Sequence, residues 1–341
     1  MKLVQFVDPQ DREGGGLHVG LVQGKEIIDL TQAPPGPRTV YDLYYQAGGD
    51  QDGLVQAVGR VRDRATGARR LGLDELLDNR DRERPHLTKP VSGPAGQPHA
   101  LRLWLAGVTH EVSAKLREIE ARQATGEAVN VYDQKYREVA KGGRPELFSK
   151  GEPEAVVGHG QPIARPADTL RLVPETELVT VYGLNRKGKV ERLGYTGGND
   201  VTDNGIEAAN PLNLPQAKNW AGGCASLGPL LVTADEYDDA EVAVSCQILR
   251  QGKSIGFKEG RTGQNHLNMP DRLRHLERFL FRRMPLEPRL LLAFYWGTPI
   301  VFAEKDFPGG LLAGDLMRLS FSGGIGVLEN PIAPLPEIDQ L

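Results

Sequence analysis

The chain has only two cysteines in 341 residues, Cys224 and Cys246, and that count excludes a disulfide framework. The pair lacks metal-site spacing and lies in apolar, β-like sequence, which fits reduced structural thiols and a cytoplasmic protein. No apolar run approaches the ~20 residues of a membrane span, and the start, MKLVQFVDPQ, has no signal-peptide core. Neither sign of charge is in excess: 41 Lys and Arg stand against 45 Asp and Glu, a formal net charge of −4. No basic block interleaved with aromatics stands out, so the electrostatic footprint of a nucleic-acid binder is missing. Internal repeats and low-complexity tracts are absent as well.

What is present is 39% hydrophobic content, enough for one large core and a smaller unit, with 41 glycines that suit many tight turns. LHVGLV and KEIIDL flank Gln23-Gly24, a hairpin signal, and residues 41–65 carry Leu54, Val55, Val58 and Val61 at helical spacing. Residues 66–98, with DNRDRERP and SGPAGQP, have the composition of an exposed connector. A small N-terminal β-rich domain and linker is therefore expected over 1–97, and a larger domain over 98–341. In the larger part LRLWLAGVTH reads as a strand ending in a loop, and residues 110–141 as an amphipathic surface helix around Val112, Leu116 and Ile119. From residue 144 β signals dominate. Val242, Val244, Cys246 and Ile248 alternate, as do Met317, Leu319 and Phe321, and RLLLAFYWG is a continuous apolar run. One later helix is expected from Pro270-Asp271, burying Leu273, Leu276, Phe279 and Leu280 and ending on Arg282 and Arg283.

Glu175 and Glu177 lie two apart in LVPETELVTVYG, so on a strand both carboxylates leave the same face. Like charges held side by side resist ionising unless protons or a cation compensate, and a divalent ion does so directly. Asp200 of GYTGGND and Lys218 of LPQAK add a third carboxylate and an ammonium. Three carboxylates with no Cys or paired His nearby describe an oxygen-ligand site for a hard cation, magnesium first and manganese or calcium as alternatives. A 2-oxo acid would chelate such an ion through two oxygens, and Lys218 would face the charge that develops on its carbonyl or enolate oxygen. Taken alone, the Glu pair is more often a solvated strand face, and an Asp in a Gly-rich turn more often a turn former; the combination brings the metal reading level with these.

RPELFSKG, PETELV, GYTGGND, LPQAK, GGCASLGP, FYWGTPIVF and LLAGDLMRLSFSGGIGVLENP follow one another in the order found in the fumarylacetoacetate hydrolase superfamily, which the chain resembles over about residues 100–332. The resemblance implies an α+β, mainly β fold: a mixed β-sandwich roll, usually homodimeric, behind a small N-terminal β-rich domain. It implies Glu175, Glu177 and Asp200 as metal ligands, Lys218 as the active-site lysine, Thr298 beside the substrate carboxylate and Lys150 at the pocket border.

Two departures bear on the chemistry. Hydrolases of the family that cleave C–C bonds carry a His and, three residues on, a Glu on a lid helix; aligned on Gly107, Ser113 and Leu116 stand there instead. His110 and Glu111 are close by and are the candidate acid/base groups, with Ser113 toward substrate, although consecutive helical residues point about 100° apart. Asn204-Gly205 also replaces an Arg-Asp pair whose arginine supports the metal site in many members. NPLNLPQAK and RPELF look most like the branch acting on 2-oxo-3-deoxy sugar acids. Dehydration needs no water nucleophile and fits the missing dyad. The expectation is a metal-dependent hydro-lyase that chelates a 2-oxo acid, stabilises its enolate and dehydrates a 2-oxo-3-deoxy sugar acid. The alternatives are a C–C hydrolase of fumarylacetoacetate- or acylpyruvate-like diketo acids, an oxaloacetate decarboxylase, and a non-catalytic acid-binding or structural member. Trp104, Trp220 and Trp296 read as packing aromatics, and Tyr132 and Arg144 as exposed residues of the surface helix.

Overall fold

A computed structural model describes residues 1–46, 53–112, 114, 115, 119 and 131–336. Its strands, in chain order, are β1 (Lys2–Val7), β2 (Leu17–Gln23), β3 (Glu26–Asp29), β4 (Arg70–Gly72), β5 (His86–Leu87), β6 (Leu101–Gly107), β7 (Glu146–Ser149), β8 (Val156–Val157), β9 (Ile163–Arg165), β10 (Leu172–Val173), β11 (Thr176–Leu184), β12 (Val190–Asp200), β13 (Thr202–Asp203), β14 (Ala225–Thr233), β15 (Val242–Arg250), β16 (Lys253–Thr262), β17 (Leu291–Tyr295), β18 (Leu316–Phe321) and β19 (Gly326–Pro334). The largest sheet runs β4-β3-β2-β1-β14-β12-β11-β17-β6-β7, with β5 on β1 and β8 on β14. A five-stranded sheet runs β16-β15-β18-β19-β9, and β10 pairs with β13. Parallel pairs (β17 with β6, β8 with β14, β19 with β9) sit among antiparallel ones, so the sheets are mixed, as the roll requires.

The pattern of β11 explains its central place. Leu178 and Tyr182 enter one core, which the five-stranded sheet and the helix Leu273–Arg283 also fill, whereas Val179 and Val181 enter another. A strand covered on both faces shows no polar alternation. On β15, by contrast, Val242, Val244, Cys246 and Ile248 are buried and alternate with more exposed residues, as expected for a strand with one covered face. The helix Leu273–Arg283 buries Leu273, Leu276 and Leu280 as expected; Phe279 is only half-buried, and His275 takes a place in the interior by hydrogen-bonding Gly143 O at 2.7 Å.

The N-terminal part departs from its sequence reading. The hairpin at Gln23-Gly24 forms, with Gly24 at a φ of 62°. Yet β1 pairs antiparallel with β14 (Lys2 opposite Val232, Leu3 opposite Leu231), and Leu3, Val19, Leu21, Leu54 and Val58 share one core with Leu101, Leu103, Val179, Leu227 and Tyr295. The boundary expected near residue 97 thus separates two stretches that share a sheet and a core. The connector at 66–98 is structured: it holds β4, the helix Leu73–Asp78 and β5, and buries Leu76, Leu87 and Val91. The helix over 41–65 is shorter than its pattern, spanning Leu54–Arg64 after a separate turn at Asp42–Gln46.

Candidate metal and active site

Two adjacent strands of the large sheet, β11 and β12, form the floor. Glu177 lies on β11 opposite Gly198 of β12, and Asp200 closes β12. Glu175 precedes β11 and is held by two bonds: its N–H donates to Asn199 Oδ1 (3.0 Å), and its carbonyl accepts the Asp200 N–H (3.0 Å). Gly198 permits this approach, because a Cβ there would stand 2.5 Å from the Tyr295 ring and 2.6 Å from Val179. Carboxylate oxygens of Glu175, Glu177 and Asp200 all lie within 4.8 Å of one another, and the three residues are 6%, 1% and 1% exposed.

Two lysines balance this charge. Lys218, at the end of the short helix Leu214–Lys218, donates from Nζ to Asp200 Oδ2 (2.6 Å), Thr202 Oγ1 (2.6 Å) and Glu175 Oε1 (3.1 Å). Thr202 Oγ1 in turn donates to Glu175 Oε1 at 2.8 Å. Lys150 is fully buried behind Asp200: it pairs with Asp200 Oδ1 and donates to the carbonyls of Val201 (3.0 Å) and Lys218. It does not border the cavity among the described residues, and its place there is corrected to a support beneath Asp200 and Lys218. Lysine reaches this depth because its ammonium meets a carboxylate and two carbonyl oxygens.

Glu177 shows what these ammonium groups leave undone. Its Oε2 accepts the Gly297 N–H at 2.7 Å, yet burial, then the Asp200 and Glu175 carboxylates, push its pKa well above the ordinary carboxylate value. A buried carboxylate so destabilised as an anion fits a site for a hard divalent cation, and the all-oxygen donor set fits magnesium.

The cavity over this floor is lined by the three carboxylates, Lys218, Gly297 and Thr298, and by residues that sequence reasoning did not assign: Glu146, Glu207, Tyr132, Phe148, Val108 and Leu214. Glu146 begins β7 opposite Gly107 of β6, and a Cβ on residue 107 would come 2.0 Å from Glu146 Oε2, so the glycine makes room for that carboxyl. Burial and then Glu207 push the Glu146 pKa up to about 7, against the pull of Lys218 and Lys135. Glu207, 5% exposed, comes from the short helix Asn204–Ala209 that Asp203 caps. Tyr132 is 7% exposed and faces the cavity, not solvent, while Arg144 is exposed as expected and lies over the Phe279 ring. RPELF contained Glu146 and GNDVTDNGIE contained Glu207, but a single carboxylate in ordinary sequence carries no spacing signal.

The remaining candidates are placed elsewhere. Thr298 lines the cavity but spends its hydroxyl locally, donating to Ile300 O (2.8 Å) and accepting the Ile300 N–H (3.1 Å). His110 is 4% exposed, packed between Thr109 Oγ1 (2.9 Å) and Thr262 Oγ1 (3.1 Å), and burial, then His266, lower its pKa to about 3. It is a neutral interior imidazole outside the cavity. The Glu111 side chain is 59% exposed and pairs with Lys115 one turn on. Both are corrected: neither lines the cavity with the carboxylates, and the two side by side form no water-activating dyad. Ser113 lies outside the described residues. Asn204 is buried, and Arg171 donates to its Oδ1. Trp296 is fully buried with its indole N–H on Thr180 Oγ1, and Trp104 and Trp220 pack half-buried at the edge of its core, so all three are packing aromatics.

Known proteins resemble this chain in sequence and in fold. The chain is 34% identical over 271 residues to the 2-dehydro-3-deoxy-D-arabinonate dehydratase of Saccharolobus solfataricus, covering 79% of this chain and 81% of that one. It is 31% identical over 305 residues to a probable 2-keto-3-deoxyxylonate dehydratase of Haloferax volcanii, covering 89% and 91%. Among solved structures, a 2-keto-3-deoxy-D-arabinonate dehydratase in its apo form superposes with a TM-score of 0.69 at 27% identity over 99% of this chain and 100% of that one. The same kind of dehydratase complexed with magnesium and 2,5-dioxopentanoate superposes with a TM-score of 0.68, again at 27% identity over 99% and 100%. The family model for the fumarylacetoacetate hydrolase C-terminal region matches residues 119–333. This chain belongs to the fumarylacetoacetate hydrolase family.

Proposed function

We propose that the protein is a magnesium-dependent dehydratase of a 2-oxo-3-deoxy sugar acid, of the kind its relatives act on. The observation that carries the reading is Glu146: a carboxyl with a pKa near 7 shares a cavity with three clustered carboxylates and Lys218, while the residues beside the lid that were candidates for activating water lie outside it. The site offers an acid for a leaving hydroxyl, and neither His110 nor Glu111 stands in it as a base for a hydrolytic water.

Glu175, Glu177 and Asp200 would hold the metal, which when bound polarises the C2 carbonyl and the carboxylate of the substrate and so acidifies C3. Lys150 keeps Asp200 and the backbone of Lys218 in place. Lys218 is the one lysine lining the cavity among the described residues, and with its amine neutral it is the group that takes the C3 proton. Glu146, whose pKa is pushed up to about 7, gives its proton from the acid form to the C4 hydroxyl as the C4–O bond breaks. The C3–H electrons form the new C3–C4 double bond, the hydroxyl leaves as water, and the proton held by Lys218 restores Glu146. The backbone N–H of Gly297 fixes Glu177, and Thr298 stiffens the loop beside the substrate carboxylate. A homodimer in the cytoplasm is part of this reading and rests on the family alone; sedimentation of the purified protein tests its first half.

The decisive experiment follows a panel of 2-oxo-3-deoxy aldonates and acylpyruvates by NMR with magnesium present. Loss of one water from a sugar acid is expected. Cleavage of acylpyruvates with every sugar acid untouched would overturn the proposal.

A further inference from the structure

Arg171 ties together two segments that the site draws on from opposite sides. The residue is 8% exposed. Its Nη1 donates to Asn204 Oδ1, its Nη2 donates to Phe302 O at 2.6 Å, and its Nε pairs with Glu304 at the surface. The main chain around it is bound to the same turn. Leu170 and Arg171 N–H groups donate to the Asp203 carboxylate (2.9 and 3.0 Å), the Asn204 N–H donates to Arg171 O (2.8 Å), and Leu172 and Val173 pair with Asp203 and Thr202. That turn follows Asp200 directly and carries Thr202, which bonds both Glu175 and Lys218. Phe302 belongs to the loop that starts at Gly297, the donor to Glu177.

We infer that Arg171 is a positioning residue for the metal site: one buried guanidinium spans from the Asp200–Asn204 turn to the Gly297–Phe302 loop and so sets the spacing of Asp200 against Glu177. The inference rests on the reading of the three carboxylates as a metal site. Arg171 does not line the cavity that holds the clustered carboxylates. Its planar fork reaches two fixed acceptors at once, which a lysine at this position does not do. Groups that orient metal ligands in this way typically govern affinity by about 10–100-fold.

Calorimetric titration of Mg2+ into the purified, metal-free full chain tests the idea, using wild type, Arg171→Ala, Arg171→Lys and Glu304→Ala. Arg171→Ala is expected to weaken Mg2+ binding by about 10–100-fold, and Arg171→Lys by less. Glu304→Ala, whose side chain is 57% exposed, should bind as wild type does. In sugar-acid turnover, the Mg2+ concentration for half-maximal rate should rise by a larger factor than kcat falls, a split that general loosening of the fold does not produce. Folded Arg171→Ala that binds Mg2+ within twofold of wild type overturns the inference while leaving the metal site standing. Should Arg171→Ala fail to fold, wild-type affinity in Arg171→Lys overturns it equally. Absence of Mg2+ binding in wild type overturns the metal reading itself, and this inference with it.

Discussion

The floor of the cavity and the root of the lid each present acidic and basic side chains, and the two regions treat them in opposite ways. On the floor, Glu175, Glu177, Asp200 and Lys218 are buried and face one another, so each charge depends on the rest. At the lid root, His110 is buried but neutral and bonded to threonines, and Glu111 is charged but solvated beside Lys115. Titratable groups do chemistry where burial and charge are combined, and the lid root separates the two. Glu146 joins the floor from β7, where burial and then Glu207 push its pKa up to about 7.

Removing a ligand from the floor gives the largest expected effect. Glu177→Ala or Asp200→Ala should abolish the rise in melting temperature that Mg2+ produces, a rise equivalent to about 2.7 kcal/mol at 100 times Kd. Turnover should fall below detection. An unchanged Mg2+ response in both variants would mean that the cluster binds no metal.

Next comes Glu146→Gln, expected to lower kcat by roughly 10²–10⁴-fold while leaving the Mg2+ response intact. In the wild type the acid form is needed, so kcat should be full below pH about 7 and fall above it as Glu146 loses its proton. The glutamine variant should lose that alkaline limb. A glutamine variant that keeps the limb places the acid elsewhere.

The lid root should register in stability more than in rate. His110 stays neutral in the folded chain down to about pH 3 but titrates near 6.5 when unfolded, so between these values the unfolded chain binds the extra proton. Stability must then fall as pH drops below about 6.5, by about 1.4 kcal/mol per pH unit from this group. His110→Gln should flatten that slope in urea titrations at pH 4–6; an unaltered slope would show that the imidazole is already charged. The smallest effect is assigned to Glu111→Gln. Its kcat should stay within about twofold of wild type, since an exposed ion pair is worth about 0–1 kcal/mol, and a large loss would return the acid/base role to the lid.

Sequence patterns reached the floor because strand geometry turns spacing into position. A Glu-x-Glu on a two-residue repeat, with an Asp after Asn199 on the neighbouring strand, is a local signal twice over. Lys218 was legible through its motif, and its depth was not. Glu146, Glu207 and Tyr132 come from three separate segments that only tertiary packing brings together, and Tyr132 reads as a surface residue until its helix is placed against the cavity. The charged stretch at 66–98 hid short elements whose few anchors, Leu76, Leu87 and Val91, are too sparse to form a periodic pattern. The N-terminal hairpin was visible, but its pairing through β1 to β14 joins residues more than two hundred positions apart, which no local pattern encodes.

The setting of Glu146 has a bearing on how such a protein diverges. β7 ends the long sheet and pairs with β6 alone among the described strands, whereas the carboxylate floor lies on β11 and β12 in its interior. Replacements at an outermost strand disturb few neighbours, and replacements in the interior disturb many. One lineage can therefore exchange its proton donor, and with it the bond that breaks, while inheriting the cation site unaltered.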